Sequence, residues 1–232
     1  MTGTLINVGT VLLGSAIGLL IRSKLPERFT KIMFQVFGLF TIFLGAKMAM
    51  ETNNIMVMIF SLLLGSLLGE WWNLDKGMER LANFIKKRAK SNNERFTEGF
   101  VTAFLVFCMG SMTILGAIEE GLGDKPNLLL TKSLMDGFSS MALASVLGIG
   151  VMFSVVPLLI YQGGLTIFAS YLTNILSPDV VSEISAVGGI LLMGLGFVLM
   201  DVKKVKVMNM LPSLVIVVFL AIWLPPLIEK LF

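Results

Sequence analysis

The chain has 232 residues, of which 56% are apolar and 14% charged, and its mean hydropathy is +0.88. Adding the 23 glycines brings the apolar share to about two thirds, where soluble domains stand near 45–50%. That excludes a water-soluble fold and predicts an integral, all-α polytopic membrane protein. With no histidine, histidine relays, histidine metal sites and Ser-His-Asp triads are excluded. One cysteine, Cys108, makes neither an internal disulfide nor a cysteine-rich zinc site. No nucleotide, dinucleotide or EF-hand signature is present, and no cofactor is expected.

Hydropathy predicts eight spans, each near the 20 residues a bilayer core requires. They are Gly3–Ile21, Ile32–Met50, Ile55–Trp72, Phe100–Ile118, Leu128–Met152, Val155–Leu172, Ile184–Met200 and Met208–Leu227. The fifth and sixth are separated only near Phe153–Pro157, and seven spans result if they form one span plus a re-entrant piece. Charge favours eight. Arg22, Lys24, Arg28 and Lys31 follow span one; Lys76, Arg80, Lys86, Lys87, Arg88, Lys90 and Arg95 follow span three; Lys203, Lys204 and Lys206 follow span seven. Eight spans put all three loops on one side, which the positive-inside rule makes cytoplasmic. Both termini then lie outside.

The whole of 1–232 reads as one transmembrane domain. Within it, residues 73–97 read as a cytoplasmic amphipathic basic segment, with Met78, Leu81, Phe84 and Ile85 on one face and Trp71 and Trp72 before them. The basic residues sit in loops, so the pI of about 9.0 argues for anionic lipid rather than nucleic acid.

Spans one and three share a pattern, Leu13-Gly14-Ser15-Ala16-Ile17-Gly18 against Leu64-Gly65-Ser66-Leu67-Leu68-Gly69. This suggests internal helix-hairpin repeats, four plus four in parallel. A second register pairs Pro26 with Pro178 and Gly45 with Gly194–Gly196, which makes the repeats inverted. Gly14/Gly18 and Gly65/Gly69 are spaced for close helix approach, within the bundle or across a homodimer seam.

Polar residues inside the spans are the candidate site, because ionisable groups there are costly unless paired or wetted. Lys132 and Asp136 share a face of span five, four residues apart. Span four ends on the same side with Gly110-Ser111-Met112-Thr113, Gly116 and Glu119-Glu120-Gly121, where glycines flanking a polar run predict a helix break. Ser139 and Ser140 follow Asp136, span six carries Gln162-Gly163-Gly164, and span one carries Asn7 and Thr10. Glu119 and Glu120 point about 100° apart on a helix, so at most one is expected to face the site. Lys47 is expected to snorkel, and Glu70 and Asp201 to be solvated.

Three of these clusters also carry a family resemblance. Cys108-Met109-Gly110-Ser111-Met112-Thr113-Ile114-Leu115-Gly116-Ala117-Ile118-Glu119-Glu120-Gly121-Leu122, Lys132-Ser133-Leu134-Met135-Asp136-Gly137-Phe138-Ser139-Ser140 and Tyr161-Gln162-Gly163-Gly164-Leu165 resemble signatures of the bacterial YdfK/YqgA-like inner-membrane family, domain of unknown function 554. The resemblance runs over essentially the whole chain. It implies a bacterial multi-pass inner-membrane protein of the transporter kind, with no established substrate or catalytic residue.

The leading expectation is a small gradient-driven secondary transporter or channel for a polar or ionic solute, bound between spans four, five and six. Asp136 and Glu119 would carry charge coupling, Lys132 would meet an anionic group, and Gln162, Ser111, Ser139 and Ser140 would orient the solute. A membrane scaffold or accessory subunit is the alternative. An intramembrane enzyme using a Lys132-activated serine is the third.

Overall fold

A computed structural model describes residues 1–22, 27–77, 80, 84, 95–108, 110–173 and 175–228, and the described residues contain helices and no strand. The helices are α1 (Thr2–Arg22), α2 (Glu27–Ala49), α3 (Ile55–Trp72), α4 (Phe96–Cys108), α5 (Ser111–Gly121), α6 (Asn127–Leu147), α7 (Gly150–Phe153), α8 (Val155–Ile167), α9 (Ala169–Leu172), α10 (Pro178–Leu199), α11 (Val207–Met210) and α12 (Ser213–Ile228).

Local chemistry sets these boundaries. Asn54 caps α3 by accepting from Met56 N and Val57 N, and Asn73 ends it in the left-handed conformation. Ser177 accepts from Val180 N, with Pro178 in the first turn. This cap starts α10 at Pro178 rather than at Ile184, where hydropathy alone places it. Span four is broken as the glycine-flanked polar run predicts, α4 and α5 meeting at a 60° bend. Thr113 Oγ1 bridges the break by donating to the Phe107 carbonyl at 2.9 Å. Span five divides into α6 and α7 at Gly148, whose φ of 85° closes the longer helix. Residues 74–77 continue in helix; Met78, Leu81 and Ile85, on the expected amphipathic face, lie outside the described residues.

Among the described residues, five helical stretches are long and apolar enough to cross a bilayer: Thr2–Arg22, Ile55–Trp72, Gly150–Ile167, Pro178–Leu199 and Val207–Leu224. The bent α4–α5 pair makes a sixth if it is one span. α6 is equally long, but Thr131, Lys132, Asp136 and four serines dilute its apolar content. The outward faces carry Leu13, Leu20, Leu39, Phe43, Leu67, Leu134, Phe138 and Ile160, all exposed. Such a belt has no place in water and suits a lipid solvent.

Two groups of helices organise the bundle. In one, α1 lies along α6, flanked by α4, α5 and α8; in the other, α2 lies along α10 and α3 along α11–α12. α1 and α6 run parallel, since Gly3 faces Leu129 near both starts and Gly18 faces Met141 and Ala144 farther along. A Cβ at Gly14 would collide with the Gly137 carbonyl oxygen, and one at Gly18 with that of Met141. Gly65 and Gly69 abut Ser213 and Asn209 in the same way. The close approach that these four glycines allow is therefore used inside one chain. α2 and α10 run antiparallel, with Gly38 against Gly196 and Gly45 against Gly189.

Candidate functional site

Parallel packing of α1 on α6 brings residues from three distant parts of the chain together. Asn7 is fully buried on α1, and its Nδ2 donates to Asp136 Oδ2 on α6 and to Gln162 Oε1 on α8, both at 3.0 Å. Lys132 Nζ, one turn before Asp136, binds the same Oδ2. Lys132 and Asp136 are 4% and 5% exposed, so this is a buried ion pair. Its desolvation cost is offset by the pairing, by the Asn7 amide and by the Phe107 ring 6.0 Å from the ammonium.

The network continues toward the start of α1. Gln162 Nε2 donates to Thr4 Oγ1 at 3.3 Å, and Thr4 Oγ1 donates to Glu120 Oε2 at 2.9 Å. Thr166 Oγ1 lies 3.4 Å from Thr4 Oγ1. Glu120 also accepts from Gly3 N at 2.5 Å and Thr4 N at 3.3 Å. A carboxylate from α5 thus caps two first-turn amides of α1, where the helix dipole favours negative charge. A chain of hydrogen bonds therefore links Asp136 to Glu120 along one face of α1.

One atom in this network is unsatisfied: Asn7 Oδ1 is buried with no partner among the described residues. An unmet buried acceptor costs about 1–3 kcal/mol. A separate open groove of ≈ 200 Å³ between α1 and α6 is mostly apolar, lined by Leu13, Ile17, Leu134, Phe138 and Met141 with Thr10 and Ser133, and Asn7 is not part of its lining.

Of the residues singled out by sequence, Asn7, Lys132, Asp136, Gln162 and Glu120 converge. Gly163 lies beside Gln162 with its α-carbon buried, and Gly164 has open space beside it. Others are placed elsewhere. Glu119 is half-buried and makes no side-chain bond into this network; one turn geometry sends only Glu120 inward. Ser139 lines a different groove, between α2, α4 and α6. Ser140 donates to the Gly137 carbonyl at 2.8 Å and packs where α1 crosses at Gly14. Thr113 serves the α4–α5 break, and the side chain of Ser111 lies outside the described part. Sequence reasoning missed Thr4 and Thr166. Their signal was spacing: Thr4 with Asn7 at i,i+3 and Gln162 with Thr166 at i,i+4 each put two polar groups on one helical face.

A larger cavity, ≈ 670 Å³, opens between α3, α10 and α12 beside Asn53, Asn54, Asp179 and Glu183. Its buried carboxylate is already engaged. Glu183 Oε1 accepts from Asn53 N and Asn54 N at 2.7 and 2.8 Å, and Oε2 accepts from Thr52 Oγ1 at 2.7 Å. At the other end of α3, Glu70 is not merely solvated, for it binds Lys206 Nζ and Asn209 Nδ2, each at 2.6 Å.

Among solved structures none matches this chain. A sequence model of the family described as "Protein of unknown function (DUF554)" matches residues 2–222. The chain is 35% identical over 219 residues to "Uncharacterized protein YqgA" of Escherichia coli (strain K12), covering 92% of this chain and 93% of that protein. It is 34% identical over 220 residues to "Uncharacterized membrane protein YdfK" of Bacillus subtilis (strain 168), covering 93% of each. A match over nearly the whole length, together with the apolar helices and a relative named a membrane protein, makes this chain a membrane protein of the DUF554 family.

Proposed function

We propose that the protein is a small gradient-driven secondary transporter or channel of the bacterial inner membrane, carrying a polar or ionic solute through the site between α1, α5, α6 and α8. The observation that carries this reading is the buried Lys132–Asp136–Asn7–Gln162 cluster, held between helices of a membrane protein. Ionisable groups buried inside membrane helices mark solute and ion pathways by default. The broken α4–α5 pair supports the same reading, because interrupted helices accompany sites near the repeat interfaces of transporters.

In this reading the chain crosses the membrane eight times with both ends outside, α2 and α6 spanning with the more apolar helices. Lys206 bound to Glu70 joins two of the basic loops on one face, as a cytoplasmic surface requires. The repeats are inverted rather than parallel. Gly189 and Gly196 each stand 151 residues after Gly38 and Gly45 (189 − 38 and 196 − 45), and the pairs contact crosswise. An inverted pair of helices, related by a two-fold axis in the membrane plane, would make that exchange.

A scaffold is the second reading, favoured by the fact that the same bonds fasten α1 to α6. Thermal stability in mild detergent, screened against ions, amino acids, organic acids and nucleobases, separates the two. A ligand bound only by the folded state stabilises by RT ln(1 + [L]/Kd). A dose-dependent shift lost in Asp136→Asn, followed by flux of that compound into proteoliposomes, is the expected result. No shift from any compound, with Asp136→Asn less stable than the parent, would favour the scaffold instead.

A further inference from the structure

The cavity between α3, α10 and α12 stands apart from the Lys132 network and has a chemistry of its own. Its ≈ 670 Å³ falls within the 300–1,000 Å³ typical of small-molecule sites. The polar side is Asn53, Asn54, Ser177, Asp179 and Glu183; the rest of the lining is apolar, including Val57 on α3 and Ala221 on α12. The hydrogen-bond inventory decides what could fit there. Most donors are already committed. Asn53 N, Asn54 N and Thr52 Oγ1 donate to Glu183, Asn53 Nδ2 donates to Asp179 Oδ1 at 3.2 Å, and Val180 N donates to Ser177 Oγ. Acceptors are left over: Asp179 Oδ2 and Asn53 Oδ1 accept from nothing among the described residues.

Charge points the same way. Glu183 is 3% exposed and Asp179 is exposed, so one carboxylate lies deep and the other at the mouth. Both meet neutral donors, which steady a carboxylate without cancelling its charge. Neither has an ionic partner among the described residues, and the lining holds no lysine or arginine. We propose that this cavity binds a small organic cation, a primary amine with an apolar body. Its ammonium donates to Asp179 Oδ2 and Asn53 Oδ1 within the field of Glu183, and its hydrocarbon covers Val57 and Ala221. An anion would meet two like charges, and a bare metal ion would leave the apolar wall unused. On the eight-span reading α3 and α10 both start outside, so the amine arrives from the outer face. That direction rests on the proposed topology, whereas binding does not.

The test uses the full chain in mild detergent at neutral pH, with melting curves in ethylamine and butylamine hydrochlorides, n-butanol, and NaCl at matching ionic strength. A ligand of the folded state raises the melting temperature with dose. Butylamine should do so saturably, and n-butanol and NaCl should not. Its half-maximal concentration should lie roughly tenfold below that of ethylamine, the difference for two more buried methylenes. Asp179→Asn removes the charge at the mouth and should raise the half-maximal concentration at least tenfold. Ala221→Leu fills the apolar side and should abolish the response; if that variant does not fold, Asp179→Asn at its exposed position decides alone. No saturable shift with butylamine, an equal shift with n-butanol or NaCl, equal half-maximal concentrations for the two amines, or an unchanged response in either folded variant overturns the proposal. Such a result would leave the transporter reading standing, because that reading turns on Asp136.

Discussion

Asn7 and Asp136, 129 positions apart, meet at 3.0 Å with both side chains buried. The hydrogen bond ties the first helix to the sixth at the point where the buried ion pair sits. Asn7→Leu removes the amide and leaves Asp136 with one donor fewer. The expected cost is about 1.5–3 kcal/mol, the range for hydrogen bonds to charged groups. A double-mutant cycle with Asp136→Asn, read by reversible unfolding in detergent, should return a coupling energy of that sign. Additive losses would mean the contact carries nothing.

Removing one partner of the buried pair should be worse than removing both. Lys132→Met strands the Asp136 carboxylate and is expected to cost about 3–5 kcal/mol. Adding Asp136→Leu removes the stranded charge and should recover most of that loss. Melting temperatures of the two single variants and the double variant check the order. A double variant less stable than Lys132→Met alone would show that the pair is not what destabilises it.

Glycines on α1 should divide sharply by position. A methyl at Gly14 or Gly18 runs into carbonyl oxygens of α6, and backbone cannot move aside as a flexible side chain can. Gly14→Ala and Gly18→Ala should each lose about 1–3 kcal/mol through overpacking. Gly9 has nothing within 4 Å of its would-be Cβ. There alanine should gain roughly 0.5–1 kcal/mol from its helix preference. Equal effects at Gly9 and Gly14 would contradict the packing of α1 on α6.

Lys206 offers a test by pH. The hydrogen bond to Glu70, followed by the charge of that carboxylate, raises its pKa above the usual lysine value of 10.5. A raised lysine contributes stability that is complete below the unfolded value and disappears as pH climbs through the folded one. The parent should therefore lose more stability than Lys206→Met between neutral pH and the alkaline side of 10.5. Both partners are more than half exposed, so molar salt should shrink the difference. Identical alkaline profiles would count against the bond.

Much of this architecture was readable from composition and spacing. Span three matches α3 at both ends, because Asn54 and Asn73 are cap residues that bound an apolar run. The polar positions Asn7, Lys132, Asp136 and Gln162 stood out because each interrupts an apolar segment, and lipid gives such interruptions few other meanings. What sequence could not supply was which interruptions face one another. Ser139 and Ser140 follow Asp136 closely, yet their helical angle turns them toward α2 and α1. Glu119 and Glu120 are chemically alike, and only the position of the α1 amides selects Glu120. Thr4 was overlooked because a threonine at a helix start reads as a local cap until another helix brings it a partner.

The parallel pairing of α1 with α6 also sets the order in which the protein can be made. Residues 2–22 leave the ribosome about a hundred residues before 127–147, so α1 enters the bilayer with Asn7 and the glycine face still unmatched. α6, with a lysine and an aspartate in its first half, is a poor candidate for insertion alone. On the eight-span reading proposed above, its acceptance by the membrane should depend on finding α1 already there, with Asn7 waiting for Asp136 and small residues open to its backbone. A rearranged gene that translates α6 before α1 should leave α6 stranded at the insertion machinery, where glycosylation-site mapping of the 122–126 loop would find it unthreaded.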